Sequence, residues 1–291
     1  MLVVEVACLL IVAVYVVSAL RRDGDRRQYL RRYGVLALAS WIAEDSCIRL
    51  YGFYGYSAEW FPQLDRTPLV VVLIWPVVIL SARELGGHLL RRRGRLPLVG
   101  SLLVLADASF MEPIAVRAGL WSWTEPGLFG VPPLGLLGWA FFAGFCLTLF
   151  EQVEARGLSP WSELIVVLVG PLATHLALLA TWWGLGRWVS HAIPSRPAAI
   201  AVCLGSLLLG TALVRLGTRK TVPLGAIATR IPAALFFFVL LAQNARSDWA
   251  LVAYALAFAP PYLALCDWGL VARPRPGAGR RRARPLARAG R

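Results

Sequence analysis

The sequence predicts an all-α protein, a polytopic bundle of transmembrane helices, and three observations carry that prediction. Hydrophobic residues make up 58% of the 291-residue chain and charged residues only 16%, where an ordinary soluble domain carries about 25% charged residues. The mean hydropathy is +0.64. The apolar residues gather into continuous runs, and a helix needs about 20 of them to cross a hydrocarbon core. Backbone inside lipid has to satisfy its own hydrogen bonds, and runs of this length do so as helices, not as the short alternating strands of a barrel.

About nine runs are expected as spans, with eight as the alternative: 2–20, 33–50, 67–85, 97–118, 131–150, 161–184, 197–215, 222–244 and 249–270. Charge orients them. The net charge is +14, and most of the 30 Lys and Arg fall in alternate loops and the C-terminal tail, as in RRDGDRR after the first run and RRRGR after the third. Cytoplasmic loops carry such an excess, so the N-terminus is expected outside and the C-terminus in the cytoplasm. The first run lacks a positive n-region and reads as a retained anchor. Residues 1–272 then form one helical membrane domain, and 273–291, rich in Pro, Gly and Arg with little to bury, a disordered basic tail. The chain is expected in the cell membrane as a multi-pass protein.

Several functions are excluded at this point. A basic tail beside anionic headgroups accounts for the charge, so nucleic acid is not an expected partner, whereas membrane lipid is. Cys8, Cys47, Cys146, Cys203 and Cys266 lie within runs and show no C-x-x-C spacing, and His88, His175 and His191 are scattered. No metal site follows from them, and no Gly-rich phosphate loop offers a seat for a nucleotide, so no cofactor is expected.

Acid chemistry remains. A charged residue at the centre of a membrane helix costs roughly 2.5 to 3.5 kcal/mol on insertion scales, so an acidic residue at depth is read as a functional group. Glu44 and Asp45 lie about six residues before the outer end of the second run, and Glu112 about six before that of the fourth. At 1.5 Å per residue all three sit roughly 9 Å below the same boundary. Aromatic residues follow both ends, among them Tyr54 and Tyr56 after the second run and Trp121 and Trp123 after the fourth. An acidic pocket under an aromatic roof is expected. Asp45 and Arg49 stand four apart and are expected to pair on their helix. Pro113 frees the carbonyl of Ser109 and is expected to kink the fourth span. Asp107, five residues before Glu112, lies about 140° around a regular helix from it.

The run from Asp107 to Trp139 carries a resemblance. Glu112, Pro113, Ala115, Gly119, Trp121, Trp123, then Gly130, Val131, Pro132, and Leu137, Gly138, Trp139 resemble the central signature of the integral-membrane carotenoid biosynthesis protein family, which includes carotenoid 1,2-hydratases. Upstream, Glu44, Gly52, Phe53, Tyr54, Gly55, Tyr56, Pro68 and Trp75 resemble that family's second block. The likeness spans about residues 40–155. Glu112-Pro113 stands where the family has Asp-Pro, and Leu134-Gly135-Leu136 where it has an Asn-Phe pair.

The resemblance implies cofactor-free protonation of a terminal double bond in a lipophilic polyene or isoprenoid. Glu112 is the first-choice acid, and Glu44 or Asp107 its partner. Trp121, Trp123, Tyr54, Tyr56, Trp139 and Trp75 are the expected substrate-binding residues, with ring faces placed to stabilise a carbocation. Asp45, Arg49, Pro113 and Gly119 are expected to shape the site. Capture of the cation by water makes a 1,2-hydratase, and capture by a neighbouring alkene makes a cyclase. A reading of another class, a proton-coupled transporter, draws on Arg230 with Pro232, His175 with Pro171, and Pro260-Pro261 as breaks in helices.

Orientation is directly testable. Reporter fusions after Gly24, Gly94 and Arg219 should report cytoplasm, and fusions near Glu59 and Glu125 the exterior. The opposite result at Glu59 contradicts the common outward direction of the second and fourth spans.

Overall fold

A computed structural model describes residues 1–22, 25–90, 93–184, 191–215 and 222–266, and it is helical almost throughout. The tail expected to be disordered, like Arg91, Arg92, Arg219 and Lys220, lies outside these residues. Seven long helices come first: α1 (Leu2–Arg22), α2 (Arg26–Tyr51), α3 (Leu69–Leu89), α4 (Leu96–Arg117), α5 (Pro133–Ala155), α6 (Ile165–Gly184) and α7 (Ser195–Arg215). Short pieces follow: α8 (Leu224–Ala228), α9 (Ile231–Asn244), α10 (Trp249–Leu256) and α11 (Ala259–Leu265).

Over their described residues the nine apolar runs are largely helical, but not all in the same way. Among the described residues six helices are long and apolar enough to cross a membrane: α1, α3, α4, α5, α6 with the turn that precedes it, and α7. α2 has the length and is too rich in charge. The eighth and ninth runs are each broken in two, because Pro232 opens α9 and Pro260 and Pro261 open α11, and proline suits a first helical turn far better than an interior. At the second break Ser206 of α7 donates to the carbonyl of Ala257. α4 continues through Pro113 to Arg117.

Helices α2 to α6 pack largely on their sequence neighbours, α2 on α3, α3 on α4, α4 on α5 and α5 on α6, and α2 also meets α6, while α1 packs on α3 and α7 on α10 and α11. Leu36, Ile79, Leu147 and Phe150 are fully enclosed between them. Ion pairs tie one end of the bundle. Glu163, buried just before α6, accepts from Arg31 Nε and Arg32 Nε of α2, each at 2.7 Å, and Arg83 of α3 reaches Glu151 at 2.8 Å and Glu154 at 3.1 Å. Arginines that a charge census assigns to a loop facing headgroups are thus partly committed to holding α2, α3, α5 and α6 together.

The other end is closed by strands that the all-α expectation did not contain. β1 (Tyr54–Tyr56) and β4 (Trp121–Trp123) form an antiparallel ribbon with Tyr54 opposite Trp123 and Tyr56 opposite Trp121. A second small ribbon pairs β2 (Gln63–Leu64) with β3 (Thr67–Pro68). Asp45 and Arg49, expected as an ion pair, meet at 2.8 Å. They also pin this second ribbon: Asp45 Oδ1 accepts from the Arg66 N–H at 3.0 Å, and Arg49 pairs with Asp65.

α2–β1–α3 and α4–β4–α5 repeat one design. In each, a glycine in the left-handed region, Gly52 (φ 59°) or Gly119 (φ 72°), ends the turn out of the helix, a conformation that glycine adopts without a Cβ penalty. Two residues later begins an aromatic-x-aromatic strand, Tyr-Gly-Tyr or Trp-Ser-Trp. A proline N-cap, Pro68 or Pro132, then starts the next helix, and seven residues on stands a tryptophan, Trp75 or Trp139. The two tryptophans meet with ring centroids 4.4 Å apart.

Candidate active site

Successive residues of a strand point to opposite faces. The alternation in Tyr-Gly-Tyr and Trp-Ser-Trp therefore puts four aromatic rings on one side of the ribbon, with Gly55 paired to the exposed Ser122 on the other. Beneath the four rings lie the two carboxyls that the helix depths predict. Glu112 is 2% exposed and Glu44 8%. Both line one cavity of about 170 Å³, walled mainly by apolar side chains such as Val78, Met111, Leu134 and Phe236, with Glu125 and Thr174 also on its lining.

Every oxygen of this pair is held. Glu112 Oε2 accepts the indole N–H of Trp121 at 2.7 Å and of Trp123 at 3.0 Å, and its Oε1 that of Trp139 at 2.8 Å. Glu44 Oε1 accepts the indole N–H of Trp75 at 2.7 Å, and its Oε2 meets the hydroxyls of Tyr54 and, at 2.9 Å, Tyr56. Each carboxyl thus takes two donors from the strand that follows its own helix and a third from the next helix. Burying an ionisable group without such partners costs several kcal/mol.

The two donor sets differ in chemistry. An indole N–H donates only, whereas a phenol hydroxyl both donates and accepts. Burial, and secondarily the Glu44 charge, hold the Tyr54 and Tyr56 phenols well above their ordinary range, so both keep their protons.

Trp121, Trp123, Trp139, Trp75, Tyr54 and Tyr56 all line the cavity as well as binding its acids. Expected as ring faces for a cation, they serve first through their N–H and O–H edges. Trp123 is further locked by contact with Tyr54 at 4.7 Å and by the bare backbone of Gly135. Asp107 is placed elsewhere. It pairs with Arg230 and accepts from Tyr262 Oη at 2.9 Å in a neighbouring cavity, so the structure does not bring it to Glu112. The reason is the angle around α4, which the continuous helix preserves. Sequence reasoning missed Glu5, a buried carboxylate of α1 that accepts the Phe61 N–H at 2.6 Å and fixes the loop beside the cavity residue Trp60. An acidic residue in the first turn of an apolar first run is the available signal.

Gly135 offers a test of the locked indole. A Cβ there would lie 2.5 Å from a Trp123 ring carbon. Gly135→Ala should therefore displace that ring, lower stability by about 1 to 3 kcal/mol and shift the tryptophan emission. Gly138→Ala, whose methyl would meet only Leu178 at 3.5 Å, should stay within about 1 kcal/mol of the parent. Thermal unfolding and fluorescence of the two variants check this, and equal behaviour contradicts it.

A family model described as carotenoid biosynthesis protein matches residues 2–208. The likeness therefore reaches well beyond the 40–155 segment that carries the motifs, from α1 into α7. No curated protein and no solved structure matches the chain. With most of its length matched, its apolar helices and its paired carboxyls, the chain belongs to the carotenoid biosynthesis protein family, as a helical membrane protein.

Proposed function

We propose that the protein is a membrane enzyme of carotenoid biosynthesis that adds water across a terminal double bond of a polyene, a carotenoid 1,2-hydratase acting without a cofactor. The observation that carries this reading is the pair of carboxyls in one largely apolar cavity, one held by three indole N–H groups and the other by one indole N–H and two hydroxyls.

Glu112 is the acid. Its neighbours accept nothing, so a proton on its carboxyl has no taker among them and is available to an alkene in the cavity. As the O–H bond breaks and the new C–H bond forms at the terminal alkene, negative charge grows on Glu112 where three indole N–H groups already point. Donors arranged in advance around developing charge are the strongest general device for lowering a barrier. The positive charge left on the substrate is a tertiary carbocation, close to Tyr54, Trp75 and Trp139 rings that line the same space.

Glu44 is the base. Water attacks the cation, its oxygen forms the C–O bond, and the proton it releases passes to Glu44 directly or through a Tyr56 hydroxyl. The proton then returns across the cavity to Glu112, so one alkene and one water give one tertiary alcohol and both carboxyls are restored. Both outcomes need a base, cyclisation to take a proton from carbon and hydration to take one from water, and the hydroxyls of Tyr54 and Tyr56 beside Glu44 suit a water. The apolar walls suit entry of the polyene from lipid, between helices.

Incubation of the purified protein with lycopene, read by product mass, tests the assignment. Hydration adds the mass of one water. Glu112→Gln should stay folded and lose at least a hundredfold in turnover, the usual scale for a general acid. Glu44→Gln should slow water capture and divert product toward isomers of unchanged mass. Unchanged mass from the parent protein means cyclisation or isomerisation, and full activity in Glu112→Gln removes it as the acid.

A further inference from the structure

A second cavity, of about 270 Å³, adjoins the first, and Ile11, Val78, Met111 and Phe237 line both. Its walls are apolar, with Phe110, Phe238 and Phe258 prominent, and it has one main polar corner, where Asp107 of α4, Arg230 at the break before α9, and Tyr262 of α11 converge. Arg230 Nη2 pairs with Asp107 Oδ2, and Tyr262 donates to Asp107 Oδ1 at 2.9 Å. Among the described residues Arg230 Nη1 is buried with no hydrogen-bond partner. A buried donor left without a partner in an apolar enclosure is costly, and a ligand oxygen is one group that would satisfy it.

We infer that this corner is a second binding site, one that takes the neutral oxygen function, hydroxyl or carbonyl, of an isoprenoid ligand. The charge balance argues for a neutral group. Asp107 already offsets Arg230, so an anion brought here would meet the carboxylate as well as the guanidinium. An oxygen with lone pairs and no charge takes the free N–H and leaves the ion pair intact, while the hydrocarbon lies against the phenylalanines and runs toward the first cavity. Asp107 stands five residues before Glu112 on α4, about 7.5 Å along the axis. The site thus selects isoprenoids by an oxygen set apart from the carbons that meet the acids. Arg230 and Tyr262 lie beyond the residues that the family model matches. The isoprenoid class of the ligand rests on the reading of the first cavity. The oxygen preference rests on Arg230.

The test is equilibrium binding to the whole protein in phosphatidylcholine nanodiscs, comparing geranylgeraniol with the same hydrocarbon lacking its hydroxyl. The alcohol should bind about tenfold tighter or more, as for a hydrogen bond from a charged donor. Removing Arg230 alone would strand Asp107, so the informative variant is Asp107→Leu/Arg230→Met, which removes both charges together. It should bind the two ligands equally. Equal binding by the parent protein, or a preference that survives in the double variant, overturns the proposal. Glu112→Gln should keep the full preference. Because no turnover is read, the outcome is independent of whether lycopene is hydrated.

Discussion

A carboxyl group shut away from water is tolerable only where its oxygens meet donors, and Glu112 meets three indole N–H groups while buried to 2% exposure. Much of the surrounding architecture serves that cluster. The left-handed Gly119 turns the chain so that Trp121 and Trp123 fold back over their own helix, Pro132 starts α5 at the place that carries Trp139 inward, and Gly135 leaves room for the Trp123 ring. Loss of any of these strands an acceptor in an apolar cavity.

The same plan, one unit earlier in the chain, delivers Glu44, Gly52, Tyr54, Tyr56 and Trp75. Pairing of the two strands brings the units face to face, so one fold builds two acidic half-sites in one cavity. Exchange of tryptophan for tyrosine in the strand is the main chemical difference between them, and it separates a carboxyl with donor-only neighbours from one whose neighbours both give and take a proton. At the far end of α2, Arg31 and Arg32 on Glu163 tie α2 to the start of α6, so the depth of Glu44 is held from both ends.

Much of this was legible in the residues. Continuous apolar runs gave the helices, and counting back from the ends of the second and fourth runs put Glu44 and Glu112 at one level. The Asp45–Arg49 pair followed from spacing alone. The ribbon did not, although Tyr-Gly-Tyr and Trp-Ser-Trp carry the alternation of a strand, because three residues have too little period to stand out beside aromatic residues expected at a membrane interface. Partners far away in sequence were hidden for a different reason. Asp107, an expected companion of Glu112 five residues away, instead pairs with Arg230, 123 residues distant. Helix packing decides such pairs, and no local pattern reports it. The breaks before α9 and α11 were signalled by their prolines, yet hydropathy alone reads straight through them.

On this account Glu112 carries the transferable proton in the resting protein. The most direct measurement is the infrared carbonyl stretch of a protonated carboxylic acid, identified by its shift in deuterated water, at neutral pH and without substrate. The account predicts such a band in the parent protein and its loss in Glu112→Gln. A band that persists unchanged in Glu112→Gln would place the proton on another group and contradict the assignment of the acid.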